Sequence, residues 1–191
     1  FTTVGGQARS RLAHVLADGQ VDPNWAPQAS AAVNALALSD DGTILYAGGS
    51  FTDISGSTRN GIAALNAATG AVLNWNPNAV NGSVDALAVA GNGVYVGGQF
   101  TAIGGQTRTH LAKLLANVDS NNADLGWAAN ANAGGSVNAL AVSGSKVYVG
   151  GIFASLRGVA RDRLAALSAT DGSVDPNWNP RPNDAVRSLA V

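Results

Sequence analysis

The 191-residue chain contains no cysteine, which excludes disulfides and thiolate metal sites. It also contains no glutamate, so every carboxylate side chain is aspartate. Asp favours turns where Glu favours helix interiors, so this bias points to strands and turns. Charged residues make up only 12% and the net charge is −1, leaving no electrostatic basis for binding nucleic acid or an anionic membrane. No apolar run approaches the ~20 residues of a spanning helix, so membrane insertion is not expected. No signal segment is present, and the chain opens at Phe1 rather than Met, which reads as a fragment or a processed product.

What is abundant is apolar residues, at 46%, and glycine, at 24 residues. They recur in order. Val33-Asn34-Ala35-Leu36-Ala37-Leu38, then Leu45-Tyr46-Ala47-Gly48-Gly49 and Phe51, returns as Val84 to Val89, Val94 to Gly98 and Phe100. It returns again as Val137 to Val142, Lys146 to Gly151 and Phe153. Phased on Phe1, Phe51, Phe100 and Phe153, the repeats span 1–50, 51–99, 100–152 and 153–191, the last incomplete. Each phenylalanine is followed at matched phase by an arginine (Arg9, Arg59, Arg108, Arg161) and later by a tryptophan (Trp25, Trp75, Trp127, Trp178).

Within a repeat the strand signals are short and close together. Val84 to Val89 reads as a first strand buried on both faces, and Val94 to Gly98 as a second strand ended by paired glycines. Phe100 to Thr107 reads as a loop, Leu111 to Leu115 as a third strand, and in repeat two a short fourth strand leads to Trp75 until Asn76-Pro77-Asn78 breaks it. A helix over Ala26 to Ala37 is disfavoured by Pro27 and by the strand-like copies of the same phrase. Repeat three carries an insertion, Asn117 to Asp124, on a blade edge. Four short strands in about 50 residues is the size of a propeller blade, so the expected fold is an all-β propeller of four-stranded blades within a single domain, residues 1–191.

The ends do not complete a blade. Val186 to Val191 reads as a first strand and Phe1 follows where a second strand should have finished, so joining them leaves strand two missing. Either a four-blade ring lacks a strand or the chain is a slice of a larger ring. The second reading is preferred because four blades lies at the low end of the range.

The phrases Val147-Tyr148-Val149-Gly150-Gly151, Phe100-Thr101-Ala102-Ile103-Gly104-Gly105-Gln106-Thr107-Arg108, Ile62 to Gly70 and Trp75-Asn76-Pro77-Asn78 resemble a bacterial secreted β-propeller repeat of unknown function, close to the delta-sixty type. The resemblance implies a propeller carried on secreted or surface proteins beside adhesion-type modules, and no activity. Repeat four departs from it at Leu156-Arg157-Gly158, so a different loop shape is expected there. Ala64, Thr69-Gly70 and Trp75 are also similar to the tryptophan-docking motif of quinoprotein propellers, with the tryptophan one residue later. That likeness implies a way for blades to grip one another.

Most residues that could carry chemistry have a structural reading. The tryptophans are expected between blades as core. The arginines are expected to tie loops to a carboxylate or to carbonyls of an adjacent blade rather than to form an anion ring. His14 and His110 stand at different phases without a metal-ligand pattern, and both read as exposed strand or strand-edge residues. Asp40-Asp41-Gly42, Asp171-Gly172 and Asn81-Gly82-Ser83 read as turns rather than calcium or glycosylation sites. No nucleophile elbow or phosphate loop occurs. The set singled out is the second position of each first strand, Asn34, Asp85, Asn138 and Arg187, polar amid apolar neighbours and expected to ring a central channel.

The expected function is a non-enzymatic extracellular or cell-surface module for binding, adhesion or structural display. The alternative is a hydrolase or lyase with an Asp-based site on the channel face. No cofactor is expected. The partner is a protein or glycan, with self-association through open strand edges as a further route.

Overall fold

The structure is a computed structural model and describes residues 1–132 and 135–191. Its regular elements are all strands: β1 (Thr3–Val4), β2 (Gln7–Ala8), β3 (Val33–Leu38), β4 (Ile44–Gly49), β5 (Asp53–Ile54), β6 (Ser57–Thr58), β7 (Ile62–Asn66), β8 (Val84–Ala90), β9 (Gly93–Gly98), β10 (Ala102–Ile103), β11 (Gln106–Thr107), β12 (Leu111–Leu115), β13 (Ser136–Ser143), β14 (Lys146–Ile152), β15 (Ser155–Leu156), β16 (Val159–Ala160) and β17 (Leu164–Ser168). They form three antiparallel blades of the same order, β3-β4-β7, β8-β9-β12 and β13-β14-β17, each accompanied by a two-stranded hairpin. First strands of neighbouring blades pack on each other, and each second strand packs on the first strand of the next blade. The blades therefore converge at their first strands, as a propeller requires.

Three expectations are corrected. The segment around Gly104-Gly105 is not a loop but the hairpin β10-β11, with Ala102 opposite Thr107 and Ile103 opposite Gln106. The fourth strand is reduced to single bridges, Leu65 to Val72, Leu114 to Ala123 and Leu167 to Val174, and a proline follows the first and third of them at Pro77 and Pro176. The first strands differ in burial: β13 is covered on both faces, but β3 alternates half-buried and exposed, with Leu36 53% and Leu38 54% accessible. In β8 the residue matching Leu36 is Leu87, which lies over Gly48 of the preceding blade, whereas the sheet before β3 is the two-stranded hairpin β1-β2 rather than a three-stranded blade.

Two more differences concern loops and ends. Arg157-Gly158 keeps the hairpin shape of the other repeats: Gly104-Gly105 takes φ of 62° and 77°, and Arg157-Gly158 takes 51° and 76°. A two-residue type I′ turn needs both residues at positive φ, and arginine accepts the first position at a modest conformational cost. Residues 186–191 form no strand, since no second strand lies beside them to supply hydrogen bonds. Val186 nonetheless occupies the first-strand position. A Cβ added at Gly150 would lie 2.5 Å from Val186 Cγ1, just as one at Gly48 would meet Val84 Cγ1 at 2.4 Å and one at Gly97 would meet Val137 Cγ1 at 2.4 Å.

The paired glycines thus do more than end a strand. The first of each pair leaves the space that the next blade's valine fills. The second faces the strand beside it so closely that a Cβ would meet a carbonyl oxygen, 2.1 Å from Ser83 O at Gly98 and 2.1 Å from Ser136 O at Gly151.

The tryptophans close the same joint from the other side. Trp25, Trp75 and Trp127 are buried, and each indole N–H donates to a backbone carbonyl of the following blade: Ala67 at 3.0 Å, Leu115 at 3.0 Å and Ser168 at 2.8 Å. Tyr46 and Tyr95 meet Trp75 and Trp127 edge-on, with centroids 5.0 and 5.4 Å apart. The Thr69-Gly70 turn rests against Trp25, and Gly172 against Trp127, so the glycine of one blade receives the indole of the blade before.

Replacing Trp75 by Ala is expected to cost about 3–5 kcal/mol in urea denaturation, because it removes core volume and leaves the Leu115 carbonyl unpaired. Gly151→Ala should cost about 1–3 kcal/mol through the carbonyl clash. Gly91→Asn, in open space at φ 55°, should change stability by no more than about 0.5 kcal/mol.

Candidate functional site

The first strands place three of the four singled-out polar residues at one kind of backbone irregularity. In β3 the register runs from Val33 opposite Gly49 to Ala35 opposite Gly48, leaving Asn34 as the extra residue. The same skip leaves Asp85 unpaired in β8 and Asn138 in β13. An extra residue in one strand of a pair is a β-bulge, which bends the strand and re-aims the side chain. A polar residue inside an apolar run is therefore the sequence trace of the bulge.

The structure brings Asn34 and Asp85 together: Asn34 Nδ2 donates to Asp85 Oδ1 at 2.9 Å, and Gln99 Nε2 donates to Asp85 Oδ2 at 3.2 Å. Asn138 instead accepts from Ser136 Oγ within its own strand at 2.8 Å. Arg187 is exposed in the last, strandless segment. What this wall can do is hold one carboxylate between neutral amide donors. Gln99 and Ser136 were not anticipated from the sequence; Gln99 stands where the other repeats carry Ser50 and Ile152, and Ser136 where repeat two carries Ser83.

The arginines turn inward to the backbone of their own blade, not to an adjacent one. Arg59 donates to Thr58 O at 2.8 Å and Leu73 O at 2.6 Å; Arg161 donates to Ala160 O and Asp175 O, both at 2.8 Å. Arg9 and Arg108 repeat the arrangement on Asp22 O and Asp124 O. Each guanidinium fastens its hairpin to the bridge segment after the third strand, a short local distance that decides the partner.

Of the two histidines, His110 is corrected. His14 is exposed but pairs with Asp22, Nδ1 to Oδ2 at 3.0 Å. His110 is buried, with only 6% of its surface accessible, and sits at φ 64° in the position held by Gly61 one repeat earlier. Burial pushes its pKa down, against a smaller opposing effect of the Asn132 backbone. The turn aspartates behave as expected. Asp41 accepts from Ser39 Oγ, Thr43 N and Thr43 Oγ1, which lowers its pKa to about 2, and Asp171 is lowered likewise to about 2 by Ser173 and Ser168. Among the described residues, no group of three or more His or Asp side chains is placed to hold a metal ion.

A further surface lies where each short hairpin meets the segment following the preceding blade's tryptophan. Bridges join Ala29 to Ile54, Val80 to Ala102 and Ala131 to Leu156. The joint between the first two blades leaves a cleft of about 300 Å³ with Asn76, Asn78, Gln106, Thr107, Ser120 and Asn121 on its walls. Nothing in the sequence marks this cleft beyond the insertion that borders it, because its walls come from three separate segments.

A histidine with a depressed pKa in the fold favours the neutral form there, so the unfolded chain binds the proton more readily. Stability from this group is full above the unfolded value of about 6.5 and falls as pH drops through it. Urea midpoints of the protein are expected to fall between pH 7 and 5 by more than those of His110→Gly, which removes the titration and suits the positive φ. Equal slopes for the two proteins would contradict the burial argument.

The family model described as a domain of unknown function (DUF5122) β-propeller matches residues 40–72 and 92–117. These segments contain the second strand, hairpin and third strand of the first blade, and the corresponding elements of the second. No curated protein matches the chain. With the same blade built three times around the same glycine, arginine and tryptophan positions, the fold is one of β-propeller repeats, and the matched stretches are similar to a β-propeller family whose function is unknown.

Proposed function

We propose that this chain is a non-enzymatic, secreted or cell-surface propeller module that presents its hairpin face for binding a protein or glycan. The observation that supports the reading is where the recurring chemistry ends. Arginine guanidinium groups and tryptophan N–H groups, the polar features common to the repeats, terminate on backbone carbonyls, the arginines within a blade and the tryptophans between blades. What differs from blade to blade is the loop face: Asp53-Ile54-Ser55-Gly56, Ala102-Ile103-Gly104-Gly105 and Ser155-Leu156-Arg157-Gly158 share a backbone, a buried aliphatic second residue and a final glycine, but differ at the first and third positions. A rigid frame with variable loops is the usual arrangement of a recognition surface. The likeness to repeats of secreted proteins supports the location.

Two measurements test it. Surface proteolysis and fractionation of the source cell should find the protein outside the cytoplasm, and a cytoplasmic pool alone would contradict the location. Turnover of ester and glycoside substrates should be no higher in the protein than in Asp85→Asn; turnover abolished by that substitution would instead favour an Asp-based hydrolase on the channel face.

A further inference from the structure

The cleft between the first and second blades differs from its counterpart one blade earlier in having a roof. The Asn117 to Asp124 insertion reaches across to the preceding blade, where Asn76 N donates to Asp119 O at 2.6 Å. The insertion also settles onto the hairpin: Ala123 N donates to Gly104 O, and Asn121 Oδ1 lies where a side chain at Gly105 would stand. Repeats that otherwise coincide therefore diverge at one cleft.

The chemistry of that cleft is specific. Its walls carry four side-chain amides and two hydroxyls, from Asn76, Asn78, Gln106, Asn121, Thr107 and Ser120, and every lining residue is neutral. Pro77, Val80 and Ile103 supply an apolar floor. A phosphate, sulfate or carboxylate would find no countercharge on these walls. An amide offers both a donor and an acceptor, which matches a hydroxyl that does both.

Two acceptors are moreover left without partners. Asn76 Oδ1, on the cleft wall, and Asn122 Oδ1, in the roof, are buried and accept no hydrogen bond. Asn122 is fully buried and its amide nitrogen is already committed to Val118 O at 3.1 Å. Buried acceptors call for a donor, and at the cleft wall that donor must come from a ligand or a solvent molecule. A ligand with several O–H donors, no charge and an apolar ring face meets these terms together.

We infer that this roofed cleft is a binding site for a neutral oligosaccharide, with Asn76, Gln106 and Asn121 receiving its hydroxyls and the exposed Val80 lying against a pyranose face. The inference rests on the display reading above and names the class of ligand displayed to.

The test uses an array of neutral gluco-, galacto-, manno- and N-acetylglucosamine oligosaccharides, with uronate-containing and sulfated oligosaccharides beside them, probed with the whole chain. The best binder is then titrated calorimetrically. A neutral oligosaccharide should bind, with affinity weakened roughly fivefold to tenfold in Asn121→Gly and in Gln106→Ala. Asn121 already sits at φ 50° and Gln106 is exposed, so both variants should fold, as melting curves will show. Gln28→Ala, in the unroofed cleft one blade earlier, should leave binding unchanged. Failure of all neutral oligosaccharides, preference for the charged ones, or affinity indifferent to both cleft variants would overturn the site. So would crystals grown with the best binder that hold only water at Asn76 Oδ1. A protein ligand bound through the hairpins with no glycan bound would overturn the sugar while leaving the display reading standing. An Asp85-dependent turnover would overturn the display reading itself.

Discussion

The structure depends on one joint, in which the first strand of each blade seats a valine on a glycine of the blade before it. A three-stranded sheet of five to eight residues per strand has two apolar faces and cannot cover either alone. Removing that apolar area from water is worth about 25 cal/mol per Å², and only a neighbouring blade can supply the cover. Gly48, Gly97 and Gly150 create the hollow, and Val84, Val137 and Val186 fill it. The indole N–H bonds from Trp25, Trp75 and Trp127 then fix the outer end of each joint, so packing and direction are set by different residues.

Much of this was legible in the chain because the repeat compares each residue with its own copies. The second and third strands, the buried tryptophans and the turn aspartates follow from matched phase and turn chemistry. What was not legible depends on partners that lie far away in sequence or on elements too short to leave a pattern. The hairpin at Gly104-Gly105 has two residues per strand, so no alternation marks it, and its composition is that of a loop. His110 looks like an exposed strand-edge residue, yet the tightly turned position it shares with Gly61 carries it inward. The arginines were expected to reach across blades, but the bridge segment of their own blade is closer.

The candidate sites divide along the same line. Asn34, Asp85 and Asn138 could be picked out because a polar residue interrupts an apolar strand, and the interruption proves to be a bulge. Their partners Gln99 and Ser136 could not, since nothing in their local sequence indicates where the bulge points them. The roofed cleft was least legible of all. It is assembled from residues 76–80, 102–107 and 120–121, and only the length of the insertion hinted that this repeat is used differently. Frame and recognition surface thus occupy separate residues, which lets the loops vary without loosening the joint.

The joint itself can be measured by a double-mutant cycle on Gly48→Ala and Val84→Ala in urea denaturation. An added methyl at Gly48 collides with Val84 Cγ1, and trimming that valine to alanine removes the colliding atom. If the glycine–valine seat orders the blades, the pair should be less destabilising than the sum of the single changes by about 1–2 kcal/mol. Additivity within about 0.5 kcal/mol would contradict the account.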